Sequence, residues 1–585
     1  MSASTRPTSP LAYSYTHTGT EATTGYFSCE PPQDMTMEQA LAWLAVHPMD
    51  DFMHRHLLRR LGEMSPEELA KLGPTLQASP VLEALFCELC ALAPEGSPLR
   101  ATLTEILEGL PTTSEASPAA IAERLSAYTP LPYIGWAALP DRELHQAWCR
   151  LFSDNIQNHR MLPHPEDNDL APLYADEEPA TRPEPPITAV HARLAAAPGT
   201  PWSRPPAHET AQKALEVLVE NDIIAGVEMR HEASLSPIAL LRRWRLDLGV
   251  RNGGLAYTLR GEATTYGRGL SLADARASYA MEMVERASSY ANVGPEGILG
   301  LTRPQPLRKA RYSELVAEGL AVLDPNAIPL EVPYRDQPIH WLTGHASEAN
   351  GNAPTLVPAQ MVYLFCNLDE VALFTSSSST GLASGNTLAE AKVAALTEIL
   401  ERDAEATTPY DRARCFRPAT DDPLLRSLLE DYAARGIQIQ MQDMTTEWGI
   451  PCYTCFVMSS RGKLARGTGA GLDGRRAAIS ALTETPYPYP RGGASGPGLR
   501  GLPERKLEDL PSFTLESPER NLALLEETLA STGHHPVYVE LTRADLGLPV
   551  VKALIPGLEL TADFDDCTRI SRRLYRNYLR MGYDI

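Results

Sequence analysis

Three glutamates share one face of a predicted helix over residues 386–403. The helix is expected to begin near Asn386, because Asn is a favoured N-cap residue. With about 100° of rotation per residue, Glu401 and Glu398 lie about 20° and 80° from Glu390 around the helix axis. No Lys or Arg lies within this acidic stripe. Carboxylates without a basic partner repel one another, so they are either solvated or gathered around a cation.

A second predicted helix carries a narrower acidic stripe. Ser278, Glu282 and Glu285 lie within about 60° of one another around its axis, and most of the remaining circumference is apolar. A single acidic stripe is equally typical of a solvent-exposed helix face. Two such helices favour a shared divalent-cation site, because buried acids without basic partners need a metal or a proton to be tolerated.

The spacing of these residues resembles the motifs of the YcaO family. The two motifs are Ser-x3-Glu-x2-Glu-Arg at Ser278–Arg286 and Ala-Ser-Gly-Asn-Thr-x2-Glu-Ala-x6-Glu-x2-Glu-Arg at Ala383–Arg402. The resemblance covers roughly Ser236 to the C-terminus. Members of that family bind ATP and magnesium without a Walker motif. Many of them phosphorylate a backbone amide oxygen of a peptide, which gives azolines, thioamides or amidines.

The resemblance implies a role for each motif residue, with ATP and Mg²⁺ as cofactors. The implied metal ligands are Glu282, Glu285, Glu398 and Glu401. The implied nucleotide-binding residues are Arg268, Ser278, Glu282, Asn386, Glu390 and Glu398. Arg268 stands where the family has Lys in a Gly-Lys-Gly segment, so the positive charge is kept but a planar guanidinium replaces a compact ammonium. No general base is assigned.

The chain departs from the family at a third motif-bearing helix. The family pattern there is approximately Arg-Ala-x2-Glu-x2-Gln-x-Arg, whereas this chain keeps Glu484 and has Ser480, Tyr487 and Tyr489 in place of Arg, Gln and Arg. Two functions therefore stay open. The first is an enzyme that activates a peptide backbone amide for cyclodehydration, thioamidation or a related modification. The second is a non-catalytic accessory factor, as in ribosomal protein methylthiolation, with a decayed nucleotide site.

Two further patterns do not indicate separate sites. Gly469–Gly474 matches the dinucleotide motif Gly-x-Gly-x-x-Gly, but no strand with an acidic end follows it. Cys452 and Cys455 lie three residues apart on a predicted strand, where their thiols would point to opposite faces, so a zinc site is not expected.

The composition is that of an acidic protein, with 52 Lys and Arg against 74 Asp and Glu and a formal charge of −22. Such a charge argues against nucleic acid or an anionic membrane as a partner. No stretch approaches the ~20 apolar residues of a transmembrane helix, and the first residues lack the order of a signal peptide. We expect a cytoplasmic homodimer with a peptide or protein substrate.

The predicted fold class is α+β, arranged along the chain in four parts. Residues 1–28 are predicted to be a disordered tail, because they are rich in Ser and Thr. Residues 29–160 are predicted to form an all-α domain for docking a partner or for regulation. Residues 161–209, rich in Pro and acidic side chains, are predicted to be a linker. Residues 210–585 are expected to form a YcaO-type ATP-binding domain of mixed sheets with helices.

Overall fold

The computed structural model describes residues 10–18, 26–110, 116–197, 199–347, 351–364 and 367–583. It is a mixture of helices and sheets with a largely helical N-terminal region, so the predicted fold class is confirmed. Among the described residues, no helix is long and apolar enough to cross a membrane.

The N-terminal region consists of two strands followed by helices. Its elements are β1 (Leu11–Thr18), β2 (Tyr26–Glu30), α1 (Met37–Val46), α2 (Asp51–Gly62), α3 (Pro66–Leu72), α4 (Pro80–Leu92), α5 (Pro98–Glu108), α6 (Pro118–Leu125), α7 (Tyr133–Ala137) and α8 (Arg142–Asn158). Helices α3 to α6 each begin at a Ser-Pro pair, in which the Ser hydroxyl accepts a hydrogen bond from a backbone N–H of the first turn. This pairing starts helices reliably, because Ser caps the free N–H groups and Pro has the helical φ angle already.

The predicted disordered tail is wrong where the structure describes it. β1 pairs antiparallel with β2 and parallel with the strand Leu255–Gly269 of the C-terminal region. Tyr13 and Tyr15 are buried on one face of β1, and the Tyr13 hydroxyl donates to Asp50 Oδ2 at 2.7 Å. The alternation of Tyr with small polar residues is the strand signal that the Ser/Thr-rich composition hides. Residues 1–9 and 19–25 lie outside the described residues.

The predicted linker is also packed against the rest of the protein. It contains α9 (Pro186–Ala195), whose Ile187 is fully buried, and its end overlaps α10 (Ala207–Glu220). Before α9, Glu177 pairs with Arg576 of the C-terminal helix, and the Tyr174 hydroxyl donates to Ile570 O at 2.6 Å. The acidic residues are therefore matched by arginines far along the chain, which composition alone does not reveal.

The rest of the chain alternates strands and helices. Its elements are β3 (Met229–Arg230), β4 (Ile238–Asn252), β5 (Leu255–Gly269), α11 (Leu272–Ser289), β6 (Asn292–Gly294), β7 (Gly297–Leu299), β8 (Arg308–Ala310), α12 (Tyr312–Ala317), β9 (Ile339–Ala346), β10 (Pro354–Pro358), β11 (Leu382–Ser384), α13 (Leu388–Thr407), β12 (Cys415–Ala419), α14 (Pro423–Ala434), β13 (Gln440–Asp443), β14 (Cys452–Met458), β15 (Leu464–Ala470), α15 (Gly474–Glu484), β16 (Glu504–Lys506), α16 (Pro518–Ala530), β17 (Val537–Glu540), β18 (Val550–Leu554) and α17 (Arg572–Gly582).

Within the described residues these strands form three sheets. The first has the order β2-β1-β5-β4-β6-β7, with β3 on β4, so it joins the N-terminal strands to the long hairpin β4–β5. The second has the order β10-β9-β17-β18-β11, with β8 on β9, and the third has the order β15-β14-β13-β12-β16. Each sheet contributes the strand that precedes one of the motif-bearing helices α11, α13 and α15.

Glycines allow these three helices to pack directly on the strands before them. A Cβ atom would lie 2.0 Å from Ala275 O at Gly267, 2.6 Å from Ala391 N at Gly385 and 2.3 Å from Ala477 O at Gly469. Each helix also contacts the strand of another unit: α11 contacts β11, α13 contacts β15 and α15 contacts β5. The three strand–helix units therefore close into a ring, and the dinucleotide-like glycines near Gly469 serve close packing.

The close packing at Gly267 gives a testable prediction. Gly267→Ala should lower the free energy of unfolding by about 2 kcal/mol or more, because the backbone of α11 leaves no room for a methyl group. Gly249→Ala is the matched control, because a Cβ on this β4 residue meets nothing within 4 Å; this variant should be neutral or slightly stabilising. Equal urea midpoints for the two variants would contradict the close approach.

A network of charges holds α17 against the end of α13. Arg573 donates to Asp403 Oδ2 at 2.8 Å and to Glu447 Oε1 at 2.8 Å. The backbone N–H of Glu559 donates to Asp403 Oδ1 at 3.0 Å. Burial, with the nearby charge of Asp403, raises the pKa of the Glu559 carboxyl to about 8, against an ordinary value of 4.5. Glu559 is therefore protonated in the folded protein at neutral pH.

This raised pKa makes stability depend on pH. Because the folded state holds the Glu559 proton more tightly than the unfolded chain, the contribution of this group is largest below pH 4.5 and is lost as pH rises towards 8. Relative to the parent protein, Glu559→Gln should therefore gain stability between pH 5 and pH 8, by about 2 kcal/mol or more. Urea unfolding at several pH values measures the difference, with the exposed Glu519→Gln as control. A pH-independent difference would show that Glu559 is ionised in the fold.

Candidate nucleotide and metal site

The ring of strand–helix units brings glutamates from three helices together. Four of them are those predicted from the motifs, Glu282 and Glu285 on α11 and Glu398 and Glu401 on α13, and the fifth is Glu484 on α15. Burial raises the pKa of Glu285, and the nearby carboxylate of Glu398 adds to this effect. Burial raises the pKa of Glu401 in the same way, with Glu484 adding to it. The charges of all three helices therefore act on one another; we call these five residues the glutamate cluster.

Backbone N–H groups of the adjoining strands hold three of these carboxylates. Glu282 Oε2 accepts a hydrogen bond from Tyr266 N on β5 at 3.1 Å. Glu398 Oε2 accepts from Gly381 N, just before β11, at 3.3 Å, and Glu401 Oε2 accepts from Ala470 N at the end of β15 at 3.0 Å. A carboxylate that accepts a backbone hydrogen bond keeps its orientation and part of its solvation. The strands thus orient the glutamate side chains as well as support the helices.

The expectation that the carboxylates have no basic partners is wrong. Arg286 Nε lies 3.7 Å from Glu282 Oε1, and its Nη1 lies 3.8 Å from Glu285 Oε1. Arg402 Nη2 lies 3.3 Å from Glu401 Oε1, and its Nη1 donates to Glu405 Oε2 at 2.6 Å. Both arginines border the acidic stripes in sequence, and their long side chains reach back along the helix to the acids.

Lys552 is a further cation, contributed by β18. It is 2% exposed, and its Nζ donates to Ser378 O at 3.1 Å and to Thr380 O at 2.7 Å. Burial lowers the pKa of Lys552 to about 8, although the neighbouring Glu398 and Glu285 act in the opposite direction. The lysine is therefore hydrogen-bonded to the serine-rich segment before β11, and its charge acts on Glu398 and Glu285.

The glutamate cluster fits magnesium by its donor chemistry. Mg²⁺ takes oxygen ligands and is commonly held by one or two carboxylates together with phosphate oxygens. Among the residues that the structure describes, no three His, Cys, Asp or Glu side chains lie close enough together to hold a metal ion as they stand. The cations Arg286 and Lys552 instead balance the carboxylates.

Arg268 faces the glutamate cluster from β5. Its positive charge opposes the effect of burial, which raises the pKa values of Glu282 and Glu484. Its Nε is buried and has no hydrogen-bond partner within the described part of the chain. A buried guanidinium N–H without an acceptor is costly. A phosphate oxygen is an acceptor that would satisfy it.

Two of the remaining predicted nucleotide residues lie apart from the cluster. Glu390 lies in the first turn of α13, about 12 Å along the helix from Glu398. Asn386 precedes the helix, and its backbone N–H donates to Glu390 Oε2 at 2.9 Å. Ser278 lies exposed on α11, one turn before Glu282. The structure thus gathers the four predicted metal ligands with Arg268 and places Asn386 and Glu390 at one end of the site.

The substituted third helix does not bring a new cation into the cluster. Arg475 Nη2 donates to Asp422 Oδ2 at 2.7 Å, and Arg491, with its side chain 82% exposed, lies 3.4 Å from Glu232. The two tyrosines bond to other parts of the chain: Tyr487 donates to Gly493 O at 3.0 Å, and Tyr489 donates to Asp431 Oδ2 of α14 at 2.6 Å.

The sequence reasoning missed several members of this site. The sequence identifies Glu484 as a motif residue without assigning it to the site, and it predicts no role for Lys552. The signal for Lys552 is a lysine inside the otherwise apolar run Val550–Leu554, because a charged residue in a buried strand needs partners. Arg286 and Arg402 are themselves part of the two motifs, so their presence beside the acids was readable.

The part of the chain that carries these motifs matches a known protein family. Residues 266–486 and 496–559 match the family model described as YcaO cyclodehydratase, ATP- and Mg²⁺-binding. The chain belongs to the YcaO family. The prediction of ATP and Mg²⁺ as cofactors is thereby confirmed at the level of the family.

Two curated relatives share much of the YcaO domain. An uncharacterized protein of Methanothermobacter thermautotrophicus is 28% identical over 344 residues, which is 53% of this chain and 84% of that protein. An uncharacterized protein in the tfuA 3′ region of Rhizobium leguminosarum bv. trifolii is 25% identical over 393 residues, which is 57% of this chain and 90% of that protein.

Solved structures of YcaO proteins resemble the chain more distantly. The YcaO protein from Methanopyrus kandleri, bound with AMPPCP and Mg²⁺, is 22% identical with a TM-score of 0.44, covering 63% of this chain and 94% of that one. A heterocyclase in complex with substrate and cofactor is 20% identical with a TM-score of 0.47, covering 64% of this chain and 56% of that one.

The buried lysine of the site gives a further prediction. Lys552→Met should lower the free energy of unfolding by about 3 kcal/mol, because removing one member of a buried charge group leaves carboxylates without compensation. Lys392→Met is the matched control, because the Lys392 ammonium lies 4.5 Å from the centre of the Tyr538 ring and away from the acids. The control should lose less than about 1 kcal/mol. Equal losses in urea unfolding would mean that Lys552 does not balance the cluster.

Proposed function

We propose that this protein uses Mg-ATP to activate a backbone amide of a peptide or protein substrate. The observation that supports this most directly is the glutamate cluster formed by the motif helices, with Arg268 facing it through a guanidinium whose buried Nε has no hydrogen-bond partner among the described residues. The product class is a cyclodehydrated or thioamidated peptide. In either case the amide oxygen bonds to the terminal phosphorus of ATP as the bond to ADP breaks, and a nucleophile then displaces the phosphate from the amide carbon.

The residues would divide this work by position. Glu282, Glu285, Glu398 and Glu401 would hold Mg²⁺, and Ser278, Asn386 and Glu390 would orient the nucleotide. Bound Mg²⁺ would supply charge neutralisation for the triphosphate. Arg268 would donate to a phosphate oxygen through its buried Nε. Lys552 would reduce the electrostatic repulsion between the carboxylates of Glu285 and Glu398. Catalysis would consist mainly of positioning and electrostatic stabilisation.

A second candidate function is that of a non-catalytic accessory protein. The observation that favours it is the third motif, where Ser480 on α15 and Tyr487 and Tyr489 just beyond its end replace the family's Arg, Gln and Arg, and where Arg475 is held by Asp422. Loss of a phosphate-facing cation costs several kcal/mol of transition-state stabilisation when nothing replaces it. The helical N-terminal region would dock the partner protein in this case. The predicted homodimer and cytoplasmic location remain predictions under both functions.

Nucleotide binding tests the proposed site. Titration calorimetry of the full chain should show Mg-ATP binding, and Glu398→Gln should weaken it about tenfold or more, because a metal-binding carboxylate is lost. Glu519→Gln, on an exposed residue of α16, should leave the affinity unchanged. Absence of binding by the parent protein, or equal affinity of the two variants, would contradict the site. Binding without peptide-dependent phosphate release in the presence of the cognate substrate would favour the accessory function.

A further inference from the structure

A short upstream segment reaches the nucleotide end of α13. Residues 200–206, which we call the strap, connect α9 to α10 and precede residue 266, where the family match begins. The strap is fixed on one side by Trp202 N, which donates to Glu516 O at 3.1 Å. On the other side it leads into α10, which packs along the first acidic helix α11. The strap therefore has a defined path over the protein surface.

The strap and α10 contact two of the three residues that are predicted to orient the nucleotide. Arg204 Nε lies 2.9 Å from Glu390 Oε1; its side chain is 65% exposed, whereas that of Glu390 is 12% exposed. Thr210, in the first turn of α10, donates to Asn386 Oδ1 at 3.0 Å. An ion pair with one partner this exposed adds little to stability. The position of Arg204 beside the predicted nucleotide residues is therefore better explained by a role in ligand binding than by a contribution to the stability of the fold.

Arg475 and Arg491 pair with Asp422 and Glu232. We propose that Arg204 is a nucleotide-binding residue, which donates to a phosphate oxygen of the ATP bound at Asn386 and Glu390. Its role rests on the proposed function, because it requires ATP at this end of the site. Arg204 would thus supply a cation to the nucleotide from outside the matched domain.

The chemistry of the guanidinium suits this role. The planar group carries five N–H donors, and its Nε lies 2.9 Å from Glu390 Oε1 in a side chain that is 65% exposed. A phosphate oxygen that arrives from solvent can therefore pair with the guanidinium through two donors. A lysine at this position would keep the charge but lose this planar, two-donor geometry.

Calorimetry on the full chain with two ligands tests this proposal. Arg204→Met should weaken Mg-ATP binding about tenfold or more and should change adenosine binding less than twofold, because adenosine carries no phosphate. Arg204→Lys should recover part of the ATP affinity. Arg193→Met is the matched control, because Arg193 is an exposed arginine of α9 that pairs with Glu527 of α16; this variant should bind both ligands like the parent protein.

The outcomes separate the two levels of the proposal. If the parent protein binds Mg-ATP and Arg204→Met binds it equally well, Arg204 is not a phosphate ligand, although the proposed function stands. If Arg204→Met binds Mg-ATP more tightly, the strap competes with the nucleotide, and the proposal is overturned in favour of an inhibitory contact. If adenosine affinity falls as much as ATP affinity, Arg204 affects the structure of the site without contacting phosphate, and the proposal is overturned. If the parent protein binds no Mg-ATP, the proposed function fails as well.

Discussion

The balance between carboxylates and cations in a confined space is the constraint on which the site depends. Glutamates from α11, α13 and α15 come together because glycines let these helices lie directly on β5, β11 and β15. Such a group of acids is unstable unless each charge is matched or neutralised. Arg286, Arg402 and Lys552 supply the positive charges here, and three backbone N–H groups in or beside the strands donate hydrogen bonds to the carboxylates. The same balance keeps the acids available to a ligand that brings its own charges.

The motifs identified the glutamates of the site but not the cations that surround them. Helical periodicity placed Glu282 with Glu285 and Glu398 with Glu401, because the spacing of side chains around a helix follows from its geometry. The two acidic stripes predicted a shared cation site, and the family resemblance supported the same grouping. The contacts by which the two helices meet depend on tertiary packing, which no local rule fixes. Lys552 was missed because its partners lie far away in sequence, on α11 and α13. The unpartnered Nε of Arg268 likewise depends on tertiary packing.

Composition was the weaker guide to the first two hundred residues. Ser- and Thr-rich residues suggested a disordered tail, yet Tyr13 and Tyr15 anchor β1 in the first sheet. The Pro- and acid-rich segment after residue 160 suggested a free linker, yet its acids meet the arginines of α17. In both cases the apolar or charged partner is a residue hundreds of positions away, which composition averaged over a window cannot detect. The helices of the N-terminal region were more predictable, because Ser-Pro starts are local signals.

The ring of strand–helix units has a consequence for how the protein is made. The ribosome releases α11 long before α15 and β18 emerge, so the nascent chain carries its first acidic helix while the lysine and the third helix that complete its surroundings are still unmade. Native contacts in this region are predominantly long-range, and assembly of such contacts is slow compared with helix formation. Maturation of the centre must therefore await the synthesis of β18, and fragments that end before it cannot contain the complete centre.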